Sequence, residues 1–207
     1  MARRGRPPKP RAPRPRPPRL ERARPTFEAV VEAAERVLHA RGAAGLTTNR
    51  VAEVAGVSIS SLYHYFPNKE ALASAVFDRV LARFLDAIVG ELRVATSLDD
   101  ATVRVGARFI ELSAPRLSMY AQLWRLRTTA EAHERIAEHH RVLIDEVAAM
   151  LVRLALADAD ADARAHAFVI VHAVDGIVNA YGNNPSAVDP ARLAPIFARL
   201  LRGIAQT

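Results

Sequence analysis

The sequence predicts an all-α protein, and three observations carry the prediction. Apolar residues recur at three- and four-residue spacing through most of the chain after residue 25. No segment shows the two-residue alternation of a half-buried strand. Thr, Ser, Asn, Gly and Pro fall between the periodic stretches and cut them into separate helices. The expected organisation is a tail over residues 1–24, a unit of three short helices over 25–77, and a larger helical domain over 78–207.

Composition narrows the class before any motif is considered. Of 207 residues, 50% are hydrophobic, enough for a substantial core. There is no cysteine, which excludes disulfides and thiolate metal sites and suits a reducing compartment. The basic N-terminus is not followed by the apolar run of a signal peptide, and no stretch of about 18 apolar residues is present. A cytoplasmic protein without membrane attachment is expected. Charge is distributed unevenly. Residues 1–24 hold 10 of the 29 Lys and Arg and a single acid, Glu21, for a net of +9; the remaining 19 basic and 21 acidic residues sum to −2.

The tail, MARRGRPPKPRAPRPRPPRLERAR, contains seven prolines and no helical period, so it is expected to be disordered or extended with polyproline character. A block of cations of this kind binds nucleic acid through phosphates. Arg4-Gly5-Arg6-Pro7 resembles the core of an AT-hook. Arginine is drawn to the negative potential of a narrow minor groove, glycine permits close approach and proline keeps the backbone extended. Arg4 and Arg6 are therefore candidate DNA contacts.

The first helix is expected from Thr26, acting as its cap after Pro25, with Phe27, Val30, Val31, Ala34, Val37 and Leu38 on one apolar stripe. Gly42 and Gly45 end it. Thr47 caps a second helix with Val51, Ala52, Val54 and Ala55 as its apolar face, and Gly56 breaks it. Ser58 caps a third, which Pro67-Asn68 stops near Phe66. Two short helices about a glycine turn form a helix-turn-helix pattern. In the 20-residue window from Thr48, Ala52 is fifth, Gly56 ninth and Leu62 fifteenth. There the motif needs a small residue, a turn residue and an apolar anchor.

The stretch TTNRVAEVAGVSISSLYHYFPNKEAL resembles the DNA-binding signature of the TetR family of bacterial transcriptional regulators. Thr-Thr, Ala-Gly-Val-Ser, Leu-Tyr-x-Tyr-Phe and Asn-Lys-Glu-x-Leu stand at that family's spacing, and the match covers residues 26–77. Ser60 departs from it, standing where the family often has glycine. The resemblance implies that Tyr63 and His64 meet DNA, with Tyr65 at the edge of that surface, while Leu62 and Phe66 pack inward as i,i+4 partners. Recognition helices bring their N-terminal residues to base edges, which nominates Ile59, Ser60 and Ser61. Thr48 and Asn49, at the start of the second helix, are candidate phosphate or base contacts. Lys69 falls in the first turn of the next helix, where a cation opposes the helix dipole unless an anion such as a DNA phosphate docks there.

Beyond residue 77 the elements follow from period alone. A long helix is expected from Glu70 to about Ala95. Another starts at Ser97-Leu-Asp-Asp and is interrupted by Pro115, and residues 117–127 form a short amphipathic segment. A long helix runs from about Ala130 to Leu156 with Ile136, Leu143, Val147, Met150, Leu151 and Leu154 inward. Acids in DADAD, residues 158–162, start a helix that is apolar almost all round, which requires burial on two sides. A final helix carries Leu193, Ile196, Phe197, Leu200, Leu201 and Ile204 on one broad face. The resemblance implies that these last two helices make a homodimer through a four-helix bundle, read out on a palindromic operator in double-stranded DNA. It also implies a pocket for a small-molecule effector, with Phe109, Met119, Trp124, His140, Phe168, His172 and Asp175 as candidate lining.

An enzyme would need chemistry that the chain lacks. There is no glycine-rich phosphate loop, no His-Glu-x-x-His and no nucleophile elbow. His133 with His140, and His166 with His172, have spacings of seven and six, which suit metal ligation poorly on a helix. No cofactor or metal is expected. A helical protein-interaction module without specific DNA binding is the rival reading. It leaves the tail charge, Thr47-Thr48 and Lys69 without a purpose.

Overall fold

The computed structural model describes residues 14–18, 21–113, 130–158 and 161–184, together with residues 192, 196, 199 and 203. Among the described residues the regular structure is helical and no strand occurs. A 3₁₀ turn, Glu21–Ala23, leads into α1, Arg24–Gly45; α2 is Thr48–Ala55, α3 Ile59–Tyr65, α4 Lys69–Val94 and α5 Leu98–Ser113. Two further helices follow, α6 over Ala130–Arg153 and α7 over Ala161–Asn183. The chain divides into two compact units, residues 1–76 and 77–207.

In the first unit, α1 packs on α2 and α2 on α3. Val30, Val31, Ala34, Val37 and Leu38 of α1 are buried, as the apolar stripe predicts, together with Leu46, Val51, Ala52, Leu62, Phe66 and Leu72. One expectation is corrected here: Thr26 does not cap α1. The helix begins two residues earlier at Arg24, with Ala23 in the cap position and no side-chain cap bond. The 3₁₀ turn extends the helical path upstream, and Pro25 is tolerated in the first turn because its missing N–H would have no intrahelical partner there. Residues 21–24 are accordingly helical, whereas 14–18 have no regular structure.

The other boundaries of this unit follow their capping chemistry. Gly42 leaves helical geometry at φ 67°, ψ −176°. Thr47 accepts a hydrogen bond from the Arg50 N–H at 3.3 Å, Ser58 from the Ser61 N–H at 3.1 Å, and Asn68 from the Ala71 N–H at 2.9 Å. At the end of α2, Gly56 adopts φ 68°, ψ 29°; its N–H donates to Glu53 O and the Val57 N–H to Ala52 O. That pair of bonds is the Schellman closure, and the left-handed residue it requires is supplied by glycine.

The second unit is built around Leu92, Ala95, Leu98, Ile144, Val147, Met150, Leu151, Ile170 and Val171. Helices α6 and α7 form its main packing pair. Polar links hold α4 to α6 in parallel order: Asp78 pairs with Arg135, Arg93 with Glu146, and the Arg153 guanidinium donates to Leu92 O at 2.9 Å and Ala95 O at 2.7 Å. The last two bonds satisfy carbonyls that the end of α4 leaves without helical partners. At the start of α5, Ser97 accepts from the Asp100 N–H at 3.1 Å while the Asp100 carboxylate accepts from the Thr96 N–H at 2.9 Å. Helix α6 stops at Arg153, short of the expected Leu156. Ala155 takes φ 54°, its N–H donates to Val152 O, and the Leu156 N–H donates to Leu151 O. This is the closure seen after α2, reached here by alanine, which carries no sequence signal for a helix end. Met119 and Trp124, the 117–127 segment, and the broad apolar face of the last helix apart from Ile196 lie outside the described residues, as do Arg4 and Arg6.

Candidate nucleic-acid interface

Helix α3 separates its residues into two sides. Leu62 and Phe66 are fully buried. On the opposite side Tyr63 is 46% exposed, Ile59 is 39% exposed, and Ser60 and His64 are exposed. This division follows from the i,i+4 spacing of the two anchors, which fixes the rotation of a seven-residue helix. Phe66 is held by Phe27 of α1, whose ring stacks on it at 4.9 Å between centroids. The same Phe27 meets Tyr65 edge-on at 5.9 Å, so Tyr65 sits half-buried at the margin between core and surface. His64 meets Tyr65 edge-on at 4.9 Å.

The exposed side continues onto α2. The Thr48 and Tyr63 hydroxyls are 3.1 Å apart, so the first turn of α2 and the middle of α3 form one polar surface. Asn49 is exposed beside Thr48. Neither α2 nor α3 has an acid in its first turn. The positive end of the α2 dipole therefore has no first-turn carboxylate of its own helix to neutralise it. Lys69, the first residue of α4, is exposed, directly after the Asn68 cap. Ser60 and Ser61 are tied to their own cap: their hydroxyls lie 2.9 and 2.8 Å from Ser58 Oγ. To read a base edge, they exchange or share these bonds. Ile59 offers only apolar contact, which in the major groove means a thymine methyl.

One contact left no plain signal in the sequence. The Arg16 backbone N–H donates to Tyr65 O at 2.7 Å, joining the tail to the last residue of α3. Bonds between a tail amide and a distant carbonyl have no residue-type signature. The hint available is that Arg16 stands between Pro15 and Pro17 and so carries the lone backbone donor of residues 15–18.

In the second unit, some of the candidate effector residues come together. The His140 and His172 rings lie 5.0 Å apart across α6 and α7, His140 Nε2 is 3.6 Å from Asp175 Oδ1, and Phe168 stacks on His172 at 4.1 Å. His172 Nδ1 is 2.8 Å from Phe168 O, one helical turn back. Phe168 itself is 53% exposed and His172 is exposed, while His140 and Asp175 are half-buried. Phe109 meets the Phe84 ring at 5.5 Å between centroids. Among the described residues no group of three metal-ligating side chains occurs, and no helix is long and apolar enough to cross a membrane.

Comparison with known proteins agrees with the geometry of the first unit. Residues 30–76 match the family described as bacterial regulatory proteins, tetR family. The chain is 41% identical over 58 residues to the HTH-type transcriptional regulator TtgR of Pseudomonas putida, a match covering 28% of each chain. It is 39% identical over 64 residues to the class D tetracycline repressor protein of Escherichia coli, covering 31% of this chain and 29% of that one. The matched stretch thus spans less than a third of either relative. The fold as a whole is similar to the crystal structure of the transcriptional regulator FadR from Bacillus subtilis in complex with stearoyl-CoA. The TM-score is 0.62 at 18% identity, over 87% of this chain and 99% of that one. The helix-turn-helix of α2 and α3, its exposed aromatic side and the sequence match over residues 30–76 together show that this part of the chain is similar to the tetR family of bacterial regulatory proteins.

Proposed function

We propose that the protein is a sequence-specific DNA-binding transcriptional regulator, a repressor released from a palindromic operator by a small-molecule ligand, and not an enzyme. The single observation that carries this reading is the two-sided α3, with Leu62 and Phe66 sealed inside while Tyr63, His64 and Ile59 face outward beside Thr48 and Asn49. An interaction module has no need of an uncompensated helix start, a cation at Lys69 and a +9 tail in one chain.

The second unit supplies the rest of the proposal. Val169 is 49% exposed beside Phe168 on α7, and Ile196 is 55% exposed further along the chain. Apolar area of this kind on a helix otherwise packed through Ala163, Ala167, Ile170 and Val171 fits a homodimer face. His140, His172 and Asp175 are the polar groups best placed to orient an effector, since a ligand must satisfy or exploit them on entering the α6–α7 region. Selection of bound duplexes from random DNA tests the reading. A two-fold-symmetric site with half-sites about one DNA turn apart is expected. Recovery of no preferred sequence by the full chain refutes it.

A further inference from the structure

We propose that Arg16 anchors the N-terminal arm to the C-terminal end of α3, so that the six cations before it are delivered to the phosphates of the duplex flanking the site that α3 reads. The inference rests on the reading of α3 as the DNA-reading helix and goes beyond it by giving the tail a fixed point of departure. Three observations support it. First, Arg16 carries the one backbone donor in Pro15-Arg16-Pro17-Pro18, and that donor is spent on Tyr65 O at 2.7 Å. The accepting carbonyl belongs to the last turn of α3, where helix geometry leaves carbonyls without intrahelical partners. Second, Pro15 and Pro18 are half-buried while Arg14, Arg16 and Pro17 are exposed. Polyproline has three residues per turn, so positions 15 and 18 share one edge; that edge faces the protein and the arginines face away. Third, the anchor lies one residue from exposed His64 and two from exposed Tyr63. The arm therefore departs from the surface proposed to meet DNA.

The remaining steps are polymer physics and electrostatics. Prolines on both sides restrict the backbone, so fixing one amide orders the run with little further loss of entropy. Ahead of the anchor lie Arg3, Arg4, Arg6, Lys9, Arg11 and Arg14, with no acid among residues 1–15. Fifteen residues at about 3.1 Å each reach roughly 45 Å when extended, more than the ~34 Å of one duplex turn. Such an arm covers the flank of a half-site without leaving its anchor, and holds its cations there at high effective concentration.

Three variants of the full chain separate anchor from charge. Arg16→Ala keeps the N–H and loses one cation, Arg16→Pro loses both, and removal of residues 1–15 deletes the arm. Each is footprinted with hydroxyl radicals on a selected duplex with flanks of about 20 base pairs, and affinity is titrated against salt. Wild type and Arg16→Ala should protect backbone beyond the half-site. Arg16→Pro and the truncation should lose that protection while still binding the central site. The truncation should also lower the salt slope by up to about five units per protomer, against about one for Arg16→Ala. Identical flank protection in Arg16→Pro and Arg16→Ala overturns the anchor, and unchanged protection after truncation overturns the arm. If wild type selects no duplex at all, the reading of α3 fails first and the inference with it. Without DNA, slow amide exchange at Arg16 is expected in wild type and Arg16→Ala; rapid exchange in wild type refutes the anchor independently of any variant's folding.

Discussion

The Thr48 hydroxyl lies 3.1 Å from the Tyr63 hydroxyl, so the first turn of α2 and the exposed side of α3 share one polar contact. Tyr63 is 46% exposed, and the pair is open to solvent on the face that carries Asn49 and His64. A hydroxyl pair on that surface fixes the tyrosine ring over α2 in the absence of DNA. On the proposed reading, the ring is held where a duplex phosphate would meet it.

Tyr63→Phe therefore separates function from folding. The ring and its packing are retained, so melting temperature should change by no more than a surface substitution does. DNA affinity should fall by about 1 kcal/mol, roughly five-fold in Kd, for one lost hydrogen bond. Fluorescence anisotropy on the selected operator measures it. Unaltered affinity removes Tyr63 from the contact set.

Lys69→Ala should weaken binding to operator and unrelated DNA by the same factor, and reduce the salt slope by about one unit per protomer. The cation stands at the first position of α4, immediately after the Asn68 cap. A loss restricted to the operator would instead make Lys69 a base reader.

The two Schellman closures give predictions of opposite sign. Gly56 holds φ 68° after α2, and Ala155 holds φ 54° after α6. A left-handed residue other than glycine costs roughly 1–2 kcal/mol. Gly56→Ala should destabilise the first unit by about 1 kcal/mol, and Ala155→Gly should stabilise the second, less the larger entropy glycine has when unfolded. Denaturant titrations of the two variants check both directions.

Phe168→Glu tests the proposed dimer face. The ring is 53% exposed on α7, so a charge there is tolerated within a single chain but not in an apolar interface. Light scattering should show a monomer with near-native helicity and weak operator binding. A dimer of unchanged affinity places the interface elsewhere.

Acid sensitivity should come in part from Asp100. Its carboxyl is held below the ordinary range, first by the hydrogen bond from the Thr96 N–H and also by Arg104. A lowered folded pKa favours the carboxylate in the folded state. The stabilisation is therefore complete above the unfolded value and is lost as pH falls through the folded one. Glu146, lowered by its bond to Arg93, acts in the same direction. Asp100→Asn should lower stability at neutral pH, and the gap to wild type should close on acidification below about pH 4. A gap that persists to pH 2 contradicts this assignment.

Much of the fold was legible in the sequence because local chemistry sets it. Thr47 and Ser58 cap the helices they were expected to cap, and Gly56 makes the turn between α2 and α3. The inward positions of α1 and α3 follow from apolar period, since a short helix with two anchors has one way to face the core. Thr26 failed as a cap because the helical path extends upstream through residues with no capping signal. Leu156 failed as a helix end because Ala155 reached a left-handed conformation that glycine usually marks.

The sequence by itself determined the helical class, the helix-turn-helix with its caps and turn, the side of α3 that faces out, and the concentration of charge in the tail. All are properties of neighbours within a few residues, which period and side-chain chemistry encode directly. Tertiary structure alone decided that Tyr63 meets Thr48, that Phe27 holds Tyr65 at the margin of the core, that His140 lies between His172 and Asp175, and that Arg16 is bonded to Tyr65. Those contacts join segments far apart in the chain, and which of them form depends on how whole helices pack.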